Sequence, residues 1–169
     1  MLFLVLVAGI VLWLLLNGGS FVSDLQDKWE AQRLQREWEK PYRQDKYGGK
    51  TPEETYDMFL KALREGDTVL ASKYFVIDEQ EKWEKTLALY EDQEVMSAFA
   101  KELEEVKKIW KRSENSTDRV ISFTYLNIVK SDKTVEFGGQ KIMIPAGNYT
   151  NETEFELNTY TNIWKISSL

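Results

Sequence analysis

The first sixteen residues of the chain carry no charged or polar side chain. As a helix this run is ~24 Å long, and its extension to residue 22 gives ~33 Å. The hydrocarbon core of a bilayer is about 30 Å thick, so the longer segment is sufficient to cross it. Trp13 suits an interfacial anchor near one end. We therefore predict a transmembrane anchor over residues 1–22, which contacts membrane lipid and makes the protein single-pass in the cell membrane.

A cleaved signal peptide is the alternative for the same segment. Such peptides carry a basic region before the apolar stretch and small residues after it. No basic side chain precedes the apolar run, whereas residues 18–20 are small enough to be cut. Length and flanks favour an uncleaved signal-anchor, and cleavage stays open. By the positive-inside rule, the flanking Lys28, Arg33 and Arg36 would by themselves place the rest of the chain in the cytoplasm.

The chain contains no cysteine and no histidine. Disulfides, thiolate metal sites and cysteine nucleophiles are thereby excluded, and the commonest general base and transition-metal ligand is missing. The net charge of -6 argues against a nucleic-acid partner. We expect no catalytic residue, no metal and no cofactor, and a binding or scaffolding role. An enzyme that relies on carboxylates, lysine or tyrosine stays open as an alternative.

Residues 23–50 follow the anchor and predict a helical stalk and a linker. The apolar positions of the stalk form a broken stripe rather than a heptad seam. These positions are Leu25, Trp29, Leu34 and Trp38. A solvated stalk explains the pattern, but Trp29 and Trp38 are costly to leave in water and favour a protein partner there. Pro41 predicts the end of the helix, and residues 42–50 are interpreted as the linker.

A folded domain is predicted from residue 51 to residue 169, and its first half is helical. Residues 51–54 (Thr-Pro-Glu-Glu) combine a capping threonine, a proline at the first helical position and a glutamate that closes a capping box. Apolar residues at helical spacing follow. They are Tyr56, Phe59, Leu60 and Leu63. Gly66 ends this helix, Asp67 caps a second one, and the apolar spacing predicts further helices up to residue 110.

The second half of the domain has the two-residue period of strands. We predict strands over residues 120–129, 134–137, 141–144, 152–160 and 163–169. Gly138 and Gly139 favour a hairpin between the second and third of these strands. Helices followed by an antiparallel meander indicate an α+β fold. The expected architecture is three to four helices packed on a curved antiparallel sheet of four to five strands.

The two ends of this domain carry motifs of a known family. Residues 51–54, with Arg-Glu-Gly-Asp at 64–67 and Ala-Ser-Lys-Tyr-Phe at 71–75, resemble the opening of nuclear transport factor 2-like domains. Trp-Lys-Ile at 164–166 resembles the last strand of the same domains. The similarity covers residues 51–169 and is greatest to the bacterial exported and lipoprotein-like branch, whose function is unknown.

The resemblance implies a cystatin-like α+β cone, in which a bent sheet wraps a long helix and a pocket lies at the open end. Enzymatic members place Asp and His, or Tyr and Asp, inside the cone. This chain offers no histidine there and no aspartate on the inward faces of the predicted strands, so no catalytic residue is carried over. Anchored relatives of this branch lie outside the cytoplasm. That outweighs the flanking charges, and we expect an extracytoplasmic domain.

A set of aromatic residues is the candidate lining of the cone. These residues are Tyr56, Tyr74, Trp83, Tyr125 and Trp164. The alternative is that they are core residues, because aromatic side chains at helical or strand spacing usually pack. Glu152, Glu154 and Glu156 form a column of carboxylates. We interpret this column as a solvated strand face rather than as a Ca²⁺ site, since one strand supplies too few convergent oxygens.

The sequence therefore predicts a membrane-anchored, extracytoplasmic and non-catalytic domain. Its expected role is binding or scaffolding, either of a small ligand in the cone or of a protein partner in the cell envelope. One alternative is a component like the inner-membrane scaffold of type IV secretion systems, which has the same plan of span, stalk and cone-shaped domain. The other is a histidine-independent enzyme of the same fold. The sequence defines no oligomeric state.

Overall fold

The structure, a computed structural model, describes residues 25–137 and 139–169. The predicted membrane anchor, residues 1–22, lies outside the described residues. Among the helices that are described, none is long and apolar enough to cross a bilayer. The chain divides into two compact units, one ending at Arg43 and the other comprising Gln44–Leu169.

Helix α1 occupies residues 25–44. It continues through Pro41, so the prediction that this proline ends the helix is wrong. A proline removes one backbone donor and strains the preceding turn. Pro41 lies in the last turn, where few residues follow it. An ion pair between Arg43 Nη2 and Glu39 Oε2, 2.8 Å apart, spans the proline on the helix surface and supports this turn.

Four α-helices and one short 3-10 helix are described in the second unit. They are α2 (Pro52–Glu65), α3 (Thr68–Ser72), the 3-10 helix (Ile77–Glu79), α4 (Gln80–Asp92) and α5 (Met96–Ile109). Helix α2 begins as predicted, because Thr51 Oγ1 accepts a 3.1 Å hydrogen bond from the Glu54 N–H. The Glu54 carboxylate accepts from the Lys50 N–H at 2.6 Å, one residue before the position that a capping box requires. Gly66 ends α2 in the left-handed conformation, with φ of 72°.

The helices pack on a four-stranded antiparallel sheet. Across this sheet the strands lie in the order β1 (Lys111–Arg112), β2 (Val120–Val129), β5 (Gly147–Asn158) and β6 (Ile163–Ser168). Between β2 and β5, the hairpin strands β3 (Lys133–Phe137) and β4 (Gln140–Ile144) pair with each other in a separate two-stranded sheet. The prediction of an α+β fold is confirmed, and β2 has the predicted bounds.

The register between β2 and β5 decides which side chains reach the core. Ile121 lies opposite Phe155, and Phe123 lies opposite Thr153. All four are buried against the helices. Residues of β2 with even numbers point to the other face, because side chains alternate along a strand. Leu126 and Ile128, on this second face, are exposed.

Residues 45–50, predicted as a linker, form a strap along β6; we call them the N-terminal strap. The Trp164 N–H donates to the Gly49 carbonyl at 2.9 Å. Thr55 Oγ1 accepts from the Gly49 N–H at 2.9 Å and donates to the Trp164 carbonyl at 2.9 Å. The strap is therefore part of the compact unit, which begins at Gln44 rather than at the predicted start of the domain.

Candidate functional site

Three of the five aromatic residues considered as a pocket lining lie in the hydrophobic core. Tyr56 is fully buried, and Tyr74 and Trp164 are nearly so. Trp83 and Tyr125 are half-buried. A ligand would reach Tyr56 only after the packing around it had opened.

Aromatic rings fill the space between α2, the end of α5 and the sheet. Trp110 stacks on Phe123 with ring centroids 4.3 Å apart, and the Tyr56 ring lies 4.7 Å from the same indole. Phe155 makes an edge contact with Phe123 at 5.8 Å. We call Tyr56, Trp110, Phe123 and Phe155 the aromatic cluster. Offset and edge contacts of this kind stabilise a core beyond the area that they bury.

A second group of rings extends the core toward α4. Phe59 and Phe75 meet edge to face at 5.3 Å, and Trp83 stacks on Phe75 at 4.2 Å. Trp83 therefore contributes one face of its indole to packing. The ring on which Trp83 stacks, Phe75, is not a member of the aromatic cluster.

The Tyr56 hydroxyl has a structural partner. It donates a 3.2 Å hydrogen bond to the Leu103 carbonyl on α5. Burial raises the pKa of Tyr56 above its ordinary value of 10.0, and the nearby Tyr125 adds to the effect. A neutral phenol bonded to a backbone carbonyl satisfies a buried polar group at low cost.

Two of the five candidates, Tyr125 and the nearly buried Tyr74, also border separate grooves at the surface. Tyr125 lies in a groove of about 320 Å³, whose lining is Ile109, Lys111, Thr124, Tyr125, Leu126 and Thr150. Tyr74 borders a smaller groove of about 160 Å³ together with Met58 and Leu70. The five predicted residues are thus divided between the core and the surface, and neither of these two grooves contains more than one of them.

A further groove, of about 410 Å³, lies between α2 and α5. Its floor is apolar, with Leu63, Met96 and Ala100. On its rim, Arg64 Nε lies 3.2 Å from Glu104 Oε1. The charges of Arg64 and Glu104 compensate each other, and Lys101 adds one positive charge to the lining.

Lys165 is a buried charged residue outside the set of predicted candidates. Its ammonium lies 2.7 Å from Asp45 Oδ2, and both side chains are 2% exposed. Nζ also donates to the carbonyls of Tyr47 at 2.6 Å and Lys73 at 2.5 Å. Burial lowers the pKa of Lys165, while the Asp45 carboxylate opposes that shift. The ammonium thus joins the strap, the end of α3 and β6 at one point.

A weak signal for this residue exists in the sequence. Lys165 stands between Trp164 and Ile166 in a strand whose neighbours are apolar, a position where a lysine is unusual. Asp45, its partner, lies in a segment that was interpreted as a linker. Nothing in the sequence pattern connects two residues so far apart along the chain.

The column of glutamates on β5 lies on the face of the strand opposite the buried Thr153 and Phe155. Within the described residues, no group of three or more Asp, Glu, His or Cys side chains is arranged to hold a metal ion. Glu154 accepts hydrogen bonds from Ser167 Oγ at 3.0 Å and Ser122 Oγ at 3.4 Å. Glu152 and Glu156 are exposed, in keeping with a solvated strand face.

Comparison with known proteins gives no match: no family model, no curated protein and no solved structure is similar to this chain.

Proposed function

We propose that this chain is a membrane-tethered, non-catalytic domain of the nuclear transport factor 2-like type, presented outside the cytoplasm, where it binds a protein partner in the cell envelope. The observation that supports this best is the aromatic cluster. Its rings contact one another at 4.3–5.8 Å between the helices and the sheet, where a ligand pocket was expected. A domain with a filled interior interacts through its surface.

Tyr56 and Lys165, two buried groups with altered pKa values, favour a non-catalytic role, whereas Tyr74, whose pKa is raised by burial, borders the groove of about 160 Å³. A catalytic group combines an altered pKa with access to a cavity. The Tyr56 hydroxyl is bonded to a backbone carbonyl, and Lys165 Nζ is held by Asp45 and two carbonyls. Neither Tyr56 nor Lys165 lines any of the three grooves described above.

The surface of α1 favours a protein partner on the stalk. Trp29 and Trp38 are 68% and 63% exposed. They are nine residues apart, which places them about 180° from each other around a helix with about 100° per residue. One flat surface cannot cover both indoles, so each face of the stalk would have its own neighbour.

The location of the domain can be tested by protease accessibility. The full chain, with a C-terminal tag, is expressed in bacteria, and external protease is added to intact spheroplasts. We expect loss of the tag without lysis, and protection of the tag would contradict an extracytoplasmic domain. Mass spectrometry of the N-terminus distinguishes a retained anchor, which includes residues 1–22, from a signal peptide cut near residues 18–20.

The partner can be tested by site-specific photo-crosslinking in the membrane. A photoreactive amino acid is placed at Trp29, at Trp38 or at Glu37, a charged and exposed position that serves as the matched control. We expect a discrete crosslinked product from a tryptophan position and none from Glu37. The same products from all three positions, or none from any, would leave the stalk as a solvated spacer.

A further inference from the structure

The outer edge of β2 is open along its second half. Strand β1 covers this edge only at Phe123 and Thr124. On the inner side, β5 pairs with β2 along its whole length. No described segment pairs with the outer edge of β2 from Tyr125 to Val129. An open edge presents backbone donors and acceptors that another strand can use.

The opposite end of the sheet is closed. The Ile166 N–H of β6 donates to the Tyr74 carbonyl at 2.9 Å, and the Val76 N–H donates to the Ile166 carbonyl at 2.9 Å. The N-terminal strap covers β6 at Gly49 in the same way, through the Trp164 N–H. The edge of β2 therefore differs from that of β6, which the chain covers with its own backbone.

The backbone groups at the open edge can be identified. The Ser122 carbonyl accepts from the Ser113 N–H at 2.8 Å on the outer side of β2. Along a strand, successive residues direct their backbone groups to alternate edges. The backbone N–H and C=O groups of even-numbered residues thus point toward the outer edge of β2. Beyond Thr124, the groups available there are those of Leu126 and Ile128.

The side chains beside this edge are apolar. Leu126 and Ile128 are 51% and 57% exposed on one face of β2. Leu126 also lines the groove of about 320 Å³ that contains Tyr125, together with exposed Ile109. A strand added to the outer edge of β2 would cover part of the exposed apolar surface of Leu126 and Ile128.

We propose that a second copy of this chain pairs with the open edge, antiparallel, around a two-fold axis at Asn127. In this register Leu126 lies opposite the partner's Ile128, and Ile128 lies opposite the partner's Leu126. All of these residues have outward-facing backbone groups, so the two pairs form four hydrogen bonds, as hydrogen-bonded pairs of an antiparallel ladder do. Pairing ends where β1 begins, at Thr124.

The self-complementarity of the segment favours a second copy over an unrelated strand. Each leucine meets an isoleucine on one face, and on the other face Tyr125 meets the partner's Val129. Asn127 meets the partner's Asn127 on the axis, which gives the polar residue a polar neighbour. A two-fold interface requires this match of a surface with itself. The inference does not depend on the membrane tether or on the stalk.

A single cysteine at the axis tests the proposal, because the chain has no cysteine of its own. Asn127→Cys is introduced into the full chain, which is purified in detergent, oxidised and separated without reductant. The two residues at the axis form a non-hydrogen-bonded pair with Cα atoms about 4.5 Å apart, within disulfide range. We expect a disulfide-linked dimer.

Asn148→Cys is the matched control, since Asn148 is exposed and lies on β5 opposite Ile128. In the proposed dimer, the two copies of residue 148 are farther apart than the two copies of residue 127 by two strand spacings of about 4.8 Å each. We therefore expect about tenfold less disulfide-linked dimer. Equal crosslinking of the two variants, or none from Asn127→Cys, would overturn the proposal. A crosslinked product with the mass of another protein would assign the edge to a different partner and overturn it as well.

Ile128→Pro provides a second test in the Asn127→Cys background. It removes the outward N–H of residue 128 and keeps every N–H that pairs with β5, as proline on an edge strand does. We expect the disulfide dimer to disappear while tryptophan fluorescence and near-ultraviolet circular dichroism stay unchanged. Crosslinking that persists in the folded proline variant would contradict pairing through this edge.

Discussion

Lys165 carries a buried positive charge on the last strand of the sheet. Burial of an ion costs several kcal/mol, and an ion pair compensates for this only when hydrogen bonds satisfy the remaining donors. The carbonyls of Tyr47 and Lys73 accept from Nζ at 2.6 and 2.5 Å, beside the ion pair with Asp45 at 2.7 Å. The stability of this buried ion pair therefore depends on both the Asp45 carboxylate and the two backbone carbonyls.

Lys165→Met is expected to destabilise the domain by about 3–5 kcal/mol, because Asp45 would remain buried with an unpaired charge. The measurement is the free energy of unfolding in urea, followed by tryptophan fluorescence. Lys165→Met combined with Asp45→Asn removes both charges and keeps an acceptor for the Tyr47 N–H, which donates to Asp45 Oδ1 at 3.0 Å. The double variant should recover part of the loss; a double variant as unstable as the single one would refute this explanation.

Tyr56 should make stability fall at alkaline pH. Its pKa is raised above 10.0 by burial, so above that pH the tyrosine ionises in the unfolded chain before it ionises in the fold. The stability that it contributes is complete below pH 10.0 and declines as the pH rises, by about 1.4 kcal/mol one unit higher. Tyr56→Phe should cost about 0.5–1.5 kcal/mol at neutral pH through the lost hydrogen bond. Urea titrations should show a shallower alkaline decline for this variant, and parallel pH curves would contradict the assignment.

At the scale of elements, the Thr55 hydroxyl holds the N-terminal strap, and the absence of a side chain at Gly48 allows its close approach to β6. Thr55 bridges the Gly49 N–H and the Trp164 carbonyl from the first turns of α2. Gly48 passes so close to the Trp164 carbonyl that a Cβ would overlap it. The strap therefore needs the small residues that suggested a flexible linker.

Thr55→Val should release the strap. The change keeps the shape of the side chain but leaves the buried Gly49 N–H without its acceptor, at a cost of about 1–3 kcal/mol. The rate of hydrogen exchange at the Gly49 amide should increase in line with this loss of stability. Thr55→Ser is the control because it keeps the hydroxyl, and its Gly49 amide should exchange close to the wild-type rate. Equal exchange in the two variants would show that the hydroxyl is not what holds the strap.

The sequence predicts elements well where the signal is local. The bounds of β2 follow from its β-branched and aromatic run, and the start of α2 follows from Thr51 and Pro52. The prediction that Pro41 ends the helix is wrong because a proline in the last turn removes few helical hydrogen bonds. The strap was missed for another reason: its partners, Trp164 and Lys165, are distant in sequence, and glycine composition does not distinguish a close packing contact from a flexible linker.

At the scale of the whole molecule, the aromatic cluster is the feature that joins helices to sheet. Its members come from α2, from the end of α5 and from two strands. Periodicity predicts that Tyr56 and Trp164 face inward, but it does not reveal whether the space they face is filled. The rings of Trp110 and Phe123 fill it, so the predicted lining is divided between the core and the surface.

Phe155→Ala should destabilise the whole domain by about 3–5 kcal/mol, because it opens a cavity in the middle of the cluster. Met143→Ala, at an exposed position of the hairpin, is the matched control and should stay within about 0.5 kcal/mol of wild type. Urea unfolding measures both. A small effect at Phe155 would mean that the cluster repacks, and would reopen the question of a ligand cavity.

Lys165 leaves the ribosome long after Asp45, because 120 residues separate the two along the chain. During synthesis the Asp45 carboxylate of the strap is therefore exposed to water until β6 has been made. Domain closure is then a late event, and any premature stop before β6 yields a chain that cannot shield its helices. Such fragments would leave the Asp45 carboxylate without the Lys165 ammonium, so the strap could not dock and the face of α2 that β6 covers would be exposed.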